Sequence, residues 1–118
     1  MREIRIDLSD DKCSPVVFGG YIGEHNETKV IIKLPERMLT NDITKYQAVF
    51  KNSKNEIQSD NIVEVSDISN GNISTMLSEN QTVGDCLILS IAAIVEENGI
   101  VTRRAKTPIV SLKVRGSV

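Results

Sequence analysis

Along most of the chain apolar side chains recur at every second position, the spacing that places them on one face of a pleated strand. In REIRIDL, residues 2–8, Ile4, Ile6 and Leu8 alternate with Arg5 and Asp7. VVFGGYIG at 16–23 and TKVIIKL at 28–34 read as two further strands; the Gly/Asn-rich GEHNET between them predicts a hairpin, and Pro35 closes the second. Gly19-Gly20, the only glycine pair, fits a bend or bulge in its strand. PERMLTNDIT offers Met38, Leu39 and Ile43 for one helical turn and no more. YQAVFK at 46–51 predicts a strand with Tyr46, Ala48 and Phe50 on one face, followed by a polar turn, NSKNE, and a fifth strand at NIVEVS, residues 61–66.

Two Asn-Gly pairs then punctuate the sequence. Asn70-Gly71 lies between Ile68 and Ile73, and Asn98-Gly99 between CLILSIAAIVEE and IVTRRA. Such pairs favour two-residue hairpin turns, because a type I′ turn needs positive φ at both central positions. In residues 86–97, Leu87, Leu89, Ile91, Ala93 and Val95 share one parity and Ile88, Ala92 and Ile94 the other. That composition predicts a central strand covered in part on both faces; its β-branched residues favour strand over the rival helix. Pro108 opens the last strand, PIVSLKV. About eight or nine short strands with regular turn signals predict an all-β, two-layer antiparallel sandwich, with a small closed barrel as the alternative. A sandwich has open edges, and the N-terminal strand or the closing strand, residues 108–114, is expected at one of them.

A length of 118 residues, 40% of them hydrophobic and 25% charged, fits one globular domain, residues 1–118. A net charge of -2 and a pI near 5.4 argue against a nucleic-acid partner. No apolar run is long enough to span a membrane, and the polar start MREIRIDLSDDK is not a secretory signal, so reduced thiols are expected at Cys13 and Cys86. With one histidine, His25, no metal-ligand spacing exists, and neither a metal nor a cofactor is expected. No phosphate loop, nucleophile elbow or zinc-protease motif occurs. Cys13 and His25 both sit in polar, turn-like stretches, which favours an ordinary thiol and a surface histidine over a catalytic pair. Adjacent Glu96 and Glu97 point to opposite faces of a strand and cannot act as a carboxylate pair. The chain therefore reads as a non-enzyme. Three Asn-x-Ser/Thr sites, at Asn26, Asn72 and Asn80, carry no glycan meaning without export. Of the four aromatics, Phe18 and Phe50 are expected in the core. That leaves Tyr21 and Tyr46 as the only rings for a sugar platform and disfavours carbohydrate binding.

Charge is segregated. Residues 55–102 hold eight acids and no base, a net of -8; residues 103–118 hold five bases and no acid, a net of +5; the first 54 residues hold nine bases and eight acids, a net of +1. Glu96 and Glu97 lie across a hairpin from Arg103 and Arg104, so local cancellation is the expected reading. If the charges are used, Arg103, Arg104 and Lys106 are the candidate contacts, and their partner is a protein, because stacking platforms for nucleic acid are absent.

Read end to end, the pattern resembles the N-terminal domain of phage baseplate upper proteins (the BppU type). The matching stretches are REIRIDL, VVFGGYIG with TKVIIKL, KYQAVFKNSKNEI, and ISTMLSENQTVGDCLILSIAAIVEENGIVTRRAKTPIVSLKV. The resemblance implies an immunoglobulin-like β-sandwich that acts as an attachment or assembly module of a phage or prophage tail. Its implied partners are other tail or baseplate proteins, with homo-oligomerisation an open option. The implied location is the virion tail tip, with the host cytoplasm during assembly. Family members continue beyond this domain, whereas this sequence stops at Val118, which also fits a small accessory tail protein. A carbohydrate- or cell-surface-binding sandwich module is the alternative.

Overall fold

The computed structural model describes residues 1–52 and 62–116. The predicted NSKNE turn lies almost wholly outside them. Among these residues ten strands form: β1 (Arg2–Asp7), β2 (Val17–Tyr21), β3 (Thr28–Lys33), β4 (Lys45–Asn52), β5 (Ile62–Val65), β6 (Ile68–Ser69), β7 (Asn72–Met76), β8 (Cys86–Glu97), β9 (Ile100–Lys106) and β10 (Val110–Arg115). Among the described residues the one helical element is a 3₁₀ turn at Glu36–Met38, where the sequence offered a single turn.

The strands form two sheets, ordered β1-β3-β7-β6 and β2-β10-β8-β4-β5, with β9 also pairing β8. The predicted sandwich is the observed architecture, but pairing is mixed. β1 runs parallel to β3, and β2 runs parallel to β10. Alternation specifies which residues face inward, not the direction of the neighbouring strand. Both Asn-Gly turns form as predicted, with Asn70 and Asn98 at φ 54° and Gly71 and Gly99 at φ 78°. β1 is an edge strand, as expected, whereas β10 is interior, between β2 and β8.

The core is the set of side chains between the sheets. Ile6, Leu8, Val30, Ile32, Leu34, Ile73 and Leu77 come from the smaller sheet and its continuations. Ala48, Phe50, Leu87, Leu89, Ile91, Ala93, Val110, Leu112 and Val114 come from the larger sheet. The cross-strand registers Ala48↔Ile91, Phe50↔Leu89 and Leu112↔Leu87 stack these residues in rows.

The predicted hairpin between β2 and β3 does not form, because the two strands belong to different sheets. Its turn residues instead carry the chain across the sandwich. Gly20, Gly23 and Asn26 have φ of 124°, 89° and 55°, so the residue types that permit a tight hairpin here permit a sheet crossing. Gly19 is the bulge: the parallel register steps from Lys113↔Phe18 to Val114↔Gly20, and a methyl at Gly19 would lie 2.9 Å from Leu112 Cβ. A network then fixes the crossing. Arg2 donates from one guanidinium nitrogen to Glu24 (3.0 Å) and to the Thr28 hydroxyl (2.7 Å), Thr28 donates to the Gly19 carbonyl (3.0 Å), and the Tyr21 amide donates to Glu24 (2.6 Å). A Cβ at Gly20 would come within 2.8 Å of both Glu24 Oε1 and Arg2 Nη1. The Tyr21 amide holds the Glu24 carboxyl below its ordinary pKa, with Arg2 adding to the effect.

β10 and β9 lie end to end along one edge of β8, and Thr107 splices them. The Thr107 amide donates to the Ile91 carbonyl (3.0 Å), and the Ile91 amide donates to the Thr107 hydroxyl (3.0 Å). A side chain thus takes the place of a missing ladder carbonyl at a fully buried residue.

Two outcomes are expected. Thr107→Val keeps the shape but strands the Ile91 amide, and should cost about 1–3 kcal/mol in urea unfolding, while Thr107→Ser retains most of the stability. Glu24 has a lowered folded pKa, so its contribution is complete above the unfolded-state value of about 4.3 and disappears as pH falls through the folded one. Glu24→Gln should therefore melt below the wild type at pH 7, and the two melting curves should converge as the pH falls through the lowered folded-state pKa.

Candidate functional site

The candidate contacts Arg103, Arg104 and Lys106 all lie on β9, the hairpin partner of β8. Two β9 residues bracket an extra one: Glu96 pairs Val101 and Val95 pairs Arg103, so Thr102 bulges, with its hydroxyl donating to the Val95 carbonyl (3.2 Å). Beyond the bulge, Arg103 and Ala105 lie opposite Val95 and Ala93 on the inward side. Arg104 and Lys106 lie opposite Ile94 and Ala92 on the outer face. The structure thus separates the three cations rather than presenting them as one cluster.

Their partners differ accordingly. Arg103 donates to Thr40 (3.0 Å) and to both carboxylate oxygens of Asp42 (3.1 and 3.2 Å), pinning the 39–44 loop under the hairpin. The Thr40 hydroxyl and then the Arg103 charge hold Asp42 below its usual pKa. Glu96 is not neutralised by the arginines, as expected across the hairpin, but by Lys45 at 2.6 Å; Lys45 also reaches Glu64 at 3.6 Å. The hairpin register explains the correction: Glu96 faces Val101 and Glu97 faces Ile100, so neither acid lies opposite an arginine. Arg37 forks onto Asp11 (2.6 and 2.7 Å) and donates to the Lys106 carbonyl (2.7 Å), capping the end of β9. Arg104 and the Lys106 ammonium have no carboxylate partner among the described residues.

β9 has β8 as its only strand neighbour among the described residues. Six of its seven residues are exposed, with Ile100 at 69%. Thr107 bonds inward to Ile91, so by antiparallel alternation Ala105 and Arg103 turn their main-chain groups toward β8, while Lys106 and Arg104 turn theirs outward. Beside this edge, on the outer face of the larger sheet, lies a shallow groove of about 380 Å³. It is lined by the apolar Val49, Ile88 and Ile109 together with Lys51 and Lys106.

At the other end of the larger sheet, Phe18 is 37% exposed, not in the core. The Gly19 bulge leaves Phe18 on the outer face opposite Lys113, where the Arg2 guanidinium covers its ring at 4.9 Å. Tyr21 meets Phe18 edge-on, centroids 5.3 Å apart and planes at 72°. The accessible rings are thus Phe18 and Tyr21 rather than Tyr21 and Tyr46, which is half-buried against the core, and the two stand at 72° and do not make a flat platform.

The remaining chemistry is structural. The Glu79 amide donates to His25 Nδ1 (3.1 Å), tying loops 22–27 and 77–85, and no hydrogen bond joins His25 to Cys13. Cys13 is exposed, Cys86 is half-buried, and both are free thiols. No group of three or more Cys, His, Asp or Glu side chains is placed to hold a metal among the described residues.

No family model matches the chain, and no curated protein sequence matches it. Among solved structures, the N-terminal domain of phage TP901-1 ORF48 is similar with a TM-score of 0.70, covering 98% of this chain and 99% of that one at 13% identity. The fold that the resemblance to baseplate upper proteins implied is the fold this chain adopts.

Proposed function

We propose that this chain is a non-enzymatic structural protein of a phage or prophage tail, a single sandwich domain that attaches or assembles through protein–protein contacts. The observation that carries this reading is the end-to-end likeness to the N-terminal domain of phage TP901-1 ORF48, which leaves almost no segment of either chain unmatched. The side-chain chemistry supports this reading: Arg2, Arg37, Lys45 and Arg103 are used in ion pairs that hold loops, and the open features are a strand edge and a sheet face. Strand edges and sheet faces are surfaces that proteins recognise. Its partners are then other tail or baseplate proteins, met in the virion or during assembly in the host cytoplasm.

The exposed Phe18–Tyr21 pair favours the second reading, a carbohydrate- or cell-surface-binding module. The perpendicular rings and the guanidinium stacked on Phe18 weigh against it.

Co-purification of the tagged chain with the tail proteins encoded beside it is expected, with a complex mass by light scattering that drops in 0.5 M salt if charge supplies much of the contact (Debye length ~4 Å at this ionic strength). A strict monomer that captures no tail protein, yet binds cell-wall polysaccharide saturably, would reverse the order of the two readings.

A further inference from the structure

Resting on the attachment reading, we propose that the free edge of β9 is the docking strand, and that its partner is an acidic extended segment of another protein, added to the larger sheet as a further strand. Two observations converge on Val101–Ala105. The edge is open, because β9 has β8 alone beside it among the described residues, and Arg104 turns its main-chain groups outward. Six of its seven residues are exposed, and Ile100 and Val101 are left in water at 69% and 43% exposure.

Charge selects the occupant. Around this hairpin Arg37, Lys45 and Arg103 each have a carboxylate in contact, at 2.6, 2.6 and 3.1 Å. Arg104 and Lys106, two positions apart on the same face, have none among the described residues. The cations that hold loops are thus neutralised, and among the described residues the two that flank the open main chain have no carboxylate beside them. A strand laid along this edge with acids at alternate positions meets both cations on one face while its backbone pairs with β9. A second copy of the chain fits poorly. Two β9 strands related by a two-fold axis near Arg103 bring their own basic residues together, and like charges opposite each other are destabilising. The Thr102 bulge and the Arg37 cap on the Lys106 carbonyl keep the open run short, which limits uncontrolled edge-to-edge growth without closing the middle of the strand.

The test titrates the intact chain with a blocked heptapeptide of alternating glutamate and valine, and separately with its lysine–valine counterpart, reading amide exchange residue by residue. Within residues 101–105 the acidic peptide is expected to slow exchange most at the outward amide of Arg104, the basic peptide to leave it unchanged, and Arg104→Glu with Lys106→Glu to weaken the effect roughly 10-fold. Circular dichroism checks that the double variant is folded, and Arg104→Gln with Lys106→Gln should give an intermediate loss. The proposal is overturned by unprotected 101–105 amides at millimolar acidic peptide, by equal protection from both peptides, or by a peptide-free dimer that already protects β9. Co-purification separates this inference from the reading beneath it. A double variant that captures the tail partner as well as the wild type overturns the β9 edge alone. A wild type that captures no tail protein, while the acidic peptide still protects 101–105, overturns the tail role and upholds the edge.

Discussion

The length of β8 governs the architecture. Twelve residues at ~3.4 Å each span ~40 Å, most of the molecule's 48 Å long axis. The strands of the smaller sheet have two to six residues and cover only part of that length. Over Leu87–Ala93 the inner face of β8 is closed by the opposing sheet, and the row is fully dry. Beyond it the 39–44 loop takes over, held by Arg103 and by Thr44. The Thr44 hydroxyl donates to the Ile94 carbonyl (2.9 Å) and accepts from the Glu96 amide (3.2 Å). Thr107 does the equivalent work on the opposite edge at Ile91. Two threonines thus extend the hydrogen bonding of β8 where neighbouring strands stop, as buried main-chain groups demand. The β8–β9 hairpin projects because this one strand outlasts its sandwich.

Much of this was legible from side-chain type and spacing. Alternation placed Ile4, Ile6 and Leu8, and likewise Ala48 and Phe50, on inner faces, since a one-residue slip would expose the whole row. Asn70-Gly71 and Asn98-Gly99 identified two turns because few other residue types accept left-handed backbone at low cost. What stayed hidden was relational. The parallel direction of β1 against β3 leaves no trace in either strand's pattern. The turn chemistry between β2 and β3 is the same whether the chain doubles back or crosses to the other layer; Arg2, Glu24 and Thr28 decide it, and Arg2 lies more than 20 residues away in sequence. Phe18 looked like core because size and apolarity suggest burial, yet the Gly19 bulge leaves it outside, where Arg2 supplies the cover.

The candidate contacts were legible as a group but not as individuals. Counting charges found Arg103, Arg104 and Lys106 together near the C-terminal end; only the register shows that Arg103 faces inward and Arg104 outward. That division changes the meaning of each. Removing the guanidinium of Arg103 frees Asp42 and the 39–44 loop, a consequence for the fold. Arg104 holds nothing among the described residues, so its charge has no evident structural use. Isolated exposed cations are ordinary and contribute little to stability. Two of them flanking outward main chain, on a strand whose third cation is paired, are a less ordinary arrangement.

A TM-score of 0.70 at 13% identity is physically intelligible for such a molecule. A two-layer sandwich requires inward residues to be apolar and turns to accept their backbone angles, and many sequences satisfy both. The conditions that preserve the fold therefore act on inner faces and say little about outer ones, where sequence is free to diverge with the partner. Under the attachment reading proposed above, recognition falls to surfaces the fold does not consume: the outer face of the larger sheet and the edge of β9. There the backbone offers a generic attraction to any extended chain, and only side-chain charge distinguishes one partner from another.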